Sequence, residues 1–181
     1  MHGLAEFVEQ APEVDLNDRG RARDQLLQMG AWDQCIRRLG FVGPNPDPHD
    51  QEQLKRFIAA YGWPDRRAWG HEAEQAAFLI VQHAFRDPAW QEDVLARLDR
   101  LPDAAVTLYY RGYLHDRIAM HKGLPQRFGT QGGCVGSGIW QPHTIEEPDG
   151  VDVRRKGIGL PPLAEYIAKM NPQCDDAVPT E

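Results

Sequence analysis

Prolines and glycines cut this chain into helix-sized pieces. There are 14 prolines and 17 glycines in 181 residues. Many gather at boundaries: the run Gly43-Pro44-Asn45-Pro46-Asp47-Pro48, the triplet Gly62-Trp63-Pro64, Asp87-Pro88, Pro102, Gly123, the stretch Gly129 to Gly138, and Pro161-Pro162. Proline removes a backbone donor and fixes φ, and glycine supplies conformations that other residues avoid, so regular helix does not run through these points. Between them apolar residues recur with helical spacing. The fold class expected is mainly α: a single-domain helical bundle with a Gly-rich loop or small β-hairpin inserted before the last short helix.

A first helix begins near Asp15, capped by Asp15 or Asn17, with Leu26, Leu27, Met29 and Ile36 on its apolar side. Gly30 would kink or divide it. The proline run after Gly43 reads as an extended connector. A helix restarts after Asp50, where Leu54, Phe57, Ile58 and Tyr61 make a core-facing stripe, and Gly62 stops it. His71 to Phe85 is the most apolar helix. Its Ala73, Ala76, Ala77, Leu79, Ile80, Val81 and Ala84 cover more than one face, which places it centrally. Asp87-Pro88 opens a helix carrying Trp90, Val94, Leu95, Leu98 and Leu101. Pro102-Asp103 caps another, from about Ala104 to His121. Residues 124–144 form the Gly-rich insertion, read as a hairpin or irregular loop, with the β-compatible runs Gln126-Arg127-Phe128 and Ile139-Trp140-Gln141 flanking the glycines. A short helix runs from Pro162 to Met170. Residues 1–14 are an arm, 15–170 the domain, and 171–181 a disordered acidic tail.

Charge narrows the function. Lys+Arg is 20 against 27 Asp+Glu, a net −7, which argues against a nucleic-acid binder. No apolar run reaches the roughly 20 residues of a membrane span, and with no basic stretch followed by an apolar one near the start, a secretory signal is not expected. Cys35, Cys134 and Cys174 are widely spaced and odd in number. They read as reduced thiols of a cytoplasmic protein.

Five segments then read together: Gly62-Trp63-Pro64; Val81-Gln82-His83-Ala84; Leu114-His115-Asp116-Arg117; Gln126-Arg127-Phe128-Gly129-Thr130-Gln131; and Gly159-Leu160-Pro161-Pro162-Leu163-Ala164-Glu165-Tyr166. Their order and spacing resembles a bacterial family known as domain of unknown function 6624, over about residues 61 to 166. Phe128 stands where that family usually has tyrosine, and the Gly132 to Gly138 run with Cys134 falls outside its pattern. Arg155 matches the family's arginine four residues before Gly-Leu. The resemblance implies a fold-sized unit and candidate residues. It implies no reaction.

The candidate site gathers polar groups on otherwise apolar helices. His83 is the expected general base or acid and Asp116 its orienter. Gln82, Arg117, Gln126, Thr130 and Gln131 are the expected substrate contacts, with Arg117 as anion anchor. This points to a small enzyme without a cofactor, hydrolase-like or lyase-like, acting on a small polar or anionic substrate. The competing reading is a non-catalytic interaction module, an adaptor or immunity-type protein with a protein partner. The same polar set could also simply pin helices to a loop. A metal site built on His83, Asp116 and another histidine is weaker. No HExxH or CxxC occurs, and His115 and His121 lie about 240° apart round a helix. The Gly132 to Gly138 run lacks the GK[ST] ending of a phosphate loop. A nucleophilic Cys134 activated by His143 or His83 is a further minor reading. Arg154-Arg155-Lys156 reads as solvated surface, unless Arg155 reaches back to the site.

Overall fold

The computed structural model describes residues 13–38 and 47–175. The stretch Leu4 to Val8 and most of the Gly43 to Pro48 connector lie outside the described residues. The chain is mainly α, with eight α-helices and one two-stranded hairpin among the described residues. No helix there is long and apolar enough to cross a membrane. Two compact units divide it, Met1–Val106 and Thr107–Glu181.

The first unit contains α1 (Arg19–Arg38), α2 (Asp47–Tyr61), α3 (Arg66–Trp69), α4 (His71–Gln82) and α5 (Pro88–Arg100). Helix α4 is its centre: Ala73, Ala76, Ala77, Phe78, Ile80 and Val81 are buried, and it packs on all four other helices. Its alanines allow close approach. A Cβ built on Gly30 of α1 would lie 2.6 Å from the Ala76 Cβ. Gly30 therefore does not kink α1, which runs unbroken for 20 residues; it is the contact point of the crossing. Asp18, rather than Asp15 or Asn17, caps α1, accepting from the Arg21 amide at 3.0 Å. Helix α2 starts at Asp47, earlier than Asp50, because Pro48 sits in the first turn, where no amide is missed. Gly62 ends it at φ +77°. Helix α3 was not expected; Asp65 caps it by accepting from the Arg67 and Ala68 amides. Asp87 caps α5 through the Trp90 amide.

The helix expected from about Ala104 to His121 is present but starts at Leu108, after a 3₁₀ turn, Asp103–Ala105, and extended backbone at Val106 and Thr107. The second unit follows: α6 (Leu108–His121), β1 (Gly132–Gly136), β2 (Ile139–Pro142), α7 (Val151–Gly157) and α8 (Leu163–Met170). Three expectations are corrected here. The first strand is the glycine run itself, and Gln126-Arg127-Phe128 is a loop with one bridge, Gln126 to Ile145. Gly132 is required because a side chain there would strike the Trp140 ring and the Gln141 carbonyl. The basic cluster Arg154-Arg155-Lys156 belongs to α7, and Arg155 is wholly buried rather than solvated.

The third correction concerns the cysteines. Cys134 and Cys174 form a disulfide, and only Cys35 is free among the described cysteines. Residues 171–175 are accordingly folded rather than part of a loose tail. They form a 3₁₀ turn, Asn171–Cys174, held against the hairpin by Trp140 N to Asn171 Oδ1 and Gly138 N to the Cys174 carbonyl, both 2.9 Å. Trp140, Tyr166 and Cys174 form a buried cluster here, with Tyr113, Ile167 and Met170 against it. Residues 176–181 lie outside the described residues.

Candidate functional site

The best-formed polar constellation joins α1 to the end of α4. Asp33 and Arg37 lie four apart on α1, so both point the same way. His83 caps α4, with φ −89° and ψ 1°. The carbonyls of the last α4 turn are met from α5, where buried Gln91 donates Nε2 to Val81 O at 2.9 Å and to Gln82 O at 3.3 Å. This fixes the backbone that carries His83.

His83 Nδ1 lies 2.8 Å from Asp33 Oδ1. The Asp33 side chain is only 4% exposed and that of His83 13%. Gln82 Nε2 faces His83 Nε2 at 3.2 Å. An amide nitrogen only donates, so with the proton on Nδ1, donated to Asp33, the Nε2 atom accepts from Gln82. Arg37 Nε is 2.9 Å from Nδ1 and 3.0 Å from Asp33 Oδ1. With Nδ1 protonated, the guanidinium donates to the carboxylate, and its Nη2 lies 3.0 Å from the same oxygen. Gln34 Nε2 donates to Asp33 Oδ2 at 2.8 Å. Burial pushes the Asp33 carboxyl up, but the hydrogen bond from His83, with the bonds from Arg37 and Gln34, outweighs it. The carboxyl is held below its ordinary value and stays ionised.

Beside this cluster an open groove of about 570 Å³ runs between α1 and α4, lined among others by Leu27, Ala31, Gln34, Cys35, Gln75 and Leu79. Gln34 belongs to both groove and cluster. Leu79 lies one turn before His83, whose amide donates to the Leu79 carbonyl.

The second unit uses its polar residues differently. Asp116, on α6, is fully buried and accepts from four donors of the 127–130 loop. These are the amides of Arg127 at 2.7 Å, Phe128 at 3.0 Å and Thr130 at 2.9 Å, and the Thr130 hydroxyl at 2.9 Å. Gln126 closes the loop on itself. Its Nε2 donates to the carbonyls of Gln131 and His143, each at 2.8 Å, and its Oε1 accepts from the Gln131 amide at 2.9 Å. Gln131 Nε2 donates to Thr130 Oγ1 at 3.0 Å. Arg155 Nη1 donates to the Phe128 carbonyl and its Nε to the Pro161 carbonyl. The Tyr166 hydroxyl donates to the Thr130 carbonyl at 3.2 Å. Gly129, at φ +68°, turns the chain so that the Thr130 amide joins those of Arg127 and Phe128 on the same carboxylate.

His83 and Gln82 thus lie together in the first unit, and the partner that sequence reasoning missed is Asp33. The expected pairing of His83 with Asp116 is corrected: the imidazole's carboxylate is Asp33, and the Asp116 carboxylate is occupied by loop amides. Asp116, Gln126, Thr130 and Gln131 come together in the second unit as one network. Arg117 follows Asp116 on α6. Arg155 does reach the 126–131 loop. A legible signal for Asp33 existed: with Leu26 and Gly30 it follows helical spacing onto the buried side of α1, and Arg37 follows at i+4. Cys134 is no free nucleophile, its sulfur being bonded to Cys174. Among the described residues no group of three or more His, Cys, Asp or Glu side chains is arranged to hold a metal ion.

Residues 13–177 match the model of a family of unknown function, DUF6624. No curated protein matches the chain. No solved structure matches it.

Proposed function

Because the chain belongs to this family, whose description names no reaction, the reading rests on the site, and we propose a small acid–base enzyme with His83 as its working base and acid. The observation that carries it is the buried Asp33 carboxylate on Nδ1, which leaves Nε2 as the basic atom. Nε2 takes a proton from a substrate hydroxyl, an activated carbon or a water. Asp33 stabilises the imidazolium that forms and keeps the ring oriented without itself taking the proton, and Nε2 then returns the proton to the leaving group. Gln82, against Nε2, must swing aside or bond the substrate. The groove's volume falls within the common range for ligand pockets, and it meets the site through Gln34, which bonds Asp33. The reaction class is hydrolase-like or lyase-like, on a small polar or anionic substrate, with no cofactor.

The test pairs a spectrum with a screen. In long-range ¹H–¹⁵N spectra of the histidine rings, the neutral His83 ring should carry its proton on Nδ1. A panel of small esters, amides and phosphate esters should yield a substrate whose turnover falls by about 10²–10⁴ in His83→Gln. Turnover untouched by His83→Gln, or a neutral ring protonated on Nε2, would refute the reading. A non-catalytic interaction module is the second reading. What favours it is the hairpin, where Val135 and Ile139 are 57% and 55% exposed. It stands if His83→Gln changes nothing.

A further inference from the structure

The disulfide takes no part in the proposed reaction, yet it closes 40 residues of the second unit. We propose that Cys134–Cys174 is a thiol–disulfide exchange site for a dithiol reductant, and that opening it releases residues 171–175 from the hairpin.

The two sulfurs are unequal in access. Cys134 is on β1 and partly exposed, whereas Cys174 is 0% exposed within the Trp140–Tyr166 cluster. An incoming thiolate therefore reaches Cys134. It forms a mixed disulfide there, the Cys134–Cys174 bond breaks, and the electron pair leaves on Cys174 as a thiolate, which takes a proton. The second thiol of the reductant then attacks the mixed disulfide. It leaves as a cyclic disulfide, and Cys134 departs as a thiolate and is protonated. Two electrons and two protons pass from the dithiol to the protein.

What remains afterwards to hold the segment is the packing of Cys174 against Trp140 and Tyr166 and three hydrogen bonds. Trp140 N to Asn171 Oδ1, Gly138 N to Cys174 O, and Ser137 Oγ to the Asp175 carbonyl at 2.8 Å are the bonds joining it to the hairpin. The last is exposed, so water replaces it readily. A segment freed of its crosslink regains conformational entropy that such bonds offset poorly. Trp140, which pairs across the hairpin with Cys134, loses the cover of Cys174. The hairpin itself persists, because its β1–β2 ladder does not involve the segment.

Amide hydrogen exchange on the full chain tests this, with Cys35 first alkylated by iodoacetamide under native conditions. In the oxidised protein the Gly138 and Trp140 amides should be protected. Excess dithiothreitol should release two thiols, add two hydrogens in mass, and speed exchange at those amides by about tenfold or more. The amides of Arg127, Phe128 and Thr130, held by Asp116, should not change. The double variant C134S/C174S should match the reduced protein and ignore dithiothreitol; the wild-type comparison stands without it if that variant fails to fold. Three free thiols in the protein as purified in air would overturn the proposal. So would thiols released only in urea, or thiols released natively with Gly138 and Trp140 still protected.

Discussion

Asp116→Asn should be among the most damaging single-atom exchanges in the second unit. The carboxylate offers lone pairs only, and four donors converge on it: three loop amides and the Thr130 hydroxyl, at 2.7–3.0 Å. Asparagine keeps one oxygen and replaces the other with an NH₂. That group faces donors, so at least two hydrogen bonds are lost and a backbone amide is left buried and unmet. Bonds to a charged acceptor contribute about 1.5–3 kcal/mol each, and breaking a buried charged pairing costs about 3–5 kcal/mol. A loss of about 4 kcal/mol is therefore expected. With a urea m-value of about 2 kcal/mol/M, the midpoint should fall by about 2 M. Trp140 is the single tryptophan of the second unit, the other four lying before Val106. Its emission in a chain whose other tryptophans are replaced by phenylalanine follows this unit alone. Exchange at the Arg127, Phe128 and Thr130 amides should accelerate in parallel. A loss under about 1 kcal/mol, with those amides still protected, would refute the view that one carboxylate holds the loop.

Two further outcomes follow from the first unit. Asp33 has its carboxyl lowered in the folded state, so its contribution is fully present above its unfolded value near 4. The contribution fades as pH falls through the folded value. Urea titrations from pH 6 to pH 2 should show this acid loss in wild type and a flatter profile in Asp33→Asn; parallel profiles would exclude it. Gly30→Ala should lower stability by about 1–3 kcal/mol through its clash with Ala76, and Ala76→Gly in the same chain should recover part of that, as read from urea midpoints.

Helix positions were legible in the sequence wherever local chemistry decides them. Asp87-Pro88, Gly62 and Gly123 act through the backbone of their own residues, and the apolar stripe Leu54, Phe57, Ile58 needs only its period. The errors arose where a distant partner decides. Gly30 reads as a helix breaker until Ala76 is set against it. The glycines 132–136 read as a loop until the Trp140 ring and the Gln141 carbonyl are brought over them. Cys134 and Cys174 are 40 residues apart, and nothing in their spacing names them as partners. The site shows the same division. His83 stood out as a polar group on an apolar helix, but its carboxylate lies 50 residues upstream, whereas Asp116, nearer in its motif, is taken by the loop 11–14 residues after it.

Those separations also imply an order of assembly for the second unit. The Asp116 loop closes over 11–14 residues, Arg155 meets the Phe128 carbonyl over 27, Tyr166 meets Thr130 over 36, and the disulfide spans 40. Closing a longer loop costs more entropy unless shorter ones have already drawn its ends together. The loop anchored on α6 therefore forms early and is the floor on which α7 and then α8 settle. On loop-closure entropy alone the two sulfurs, which have the longest span, are expected to meet last, so that oxidation of the pair seals a unit already formed rather than guiding its making.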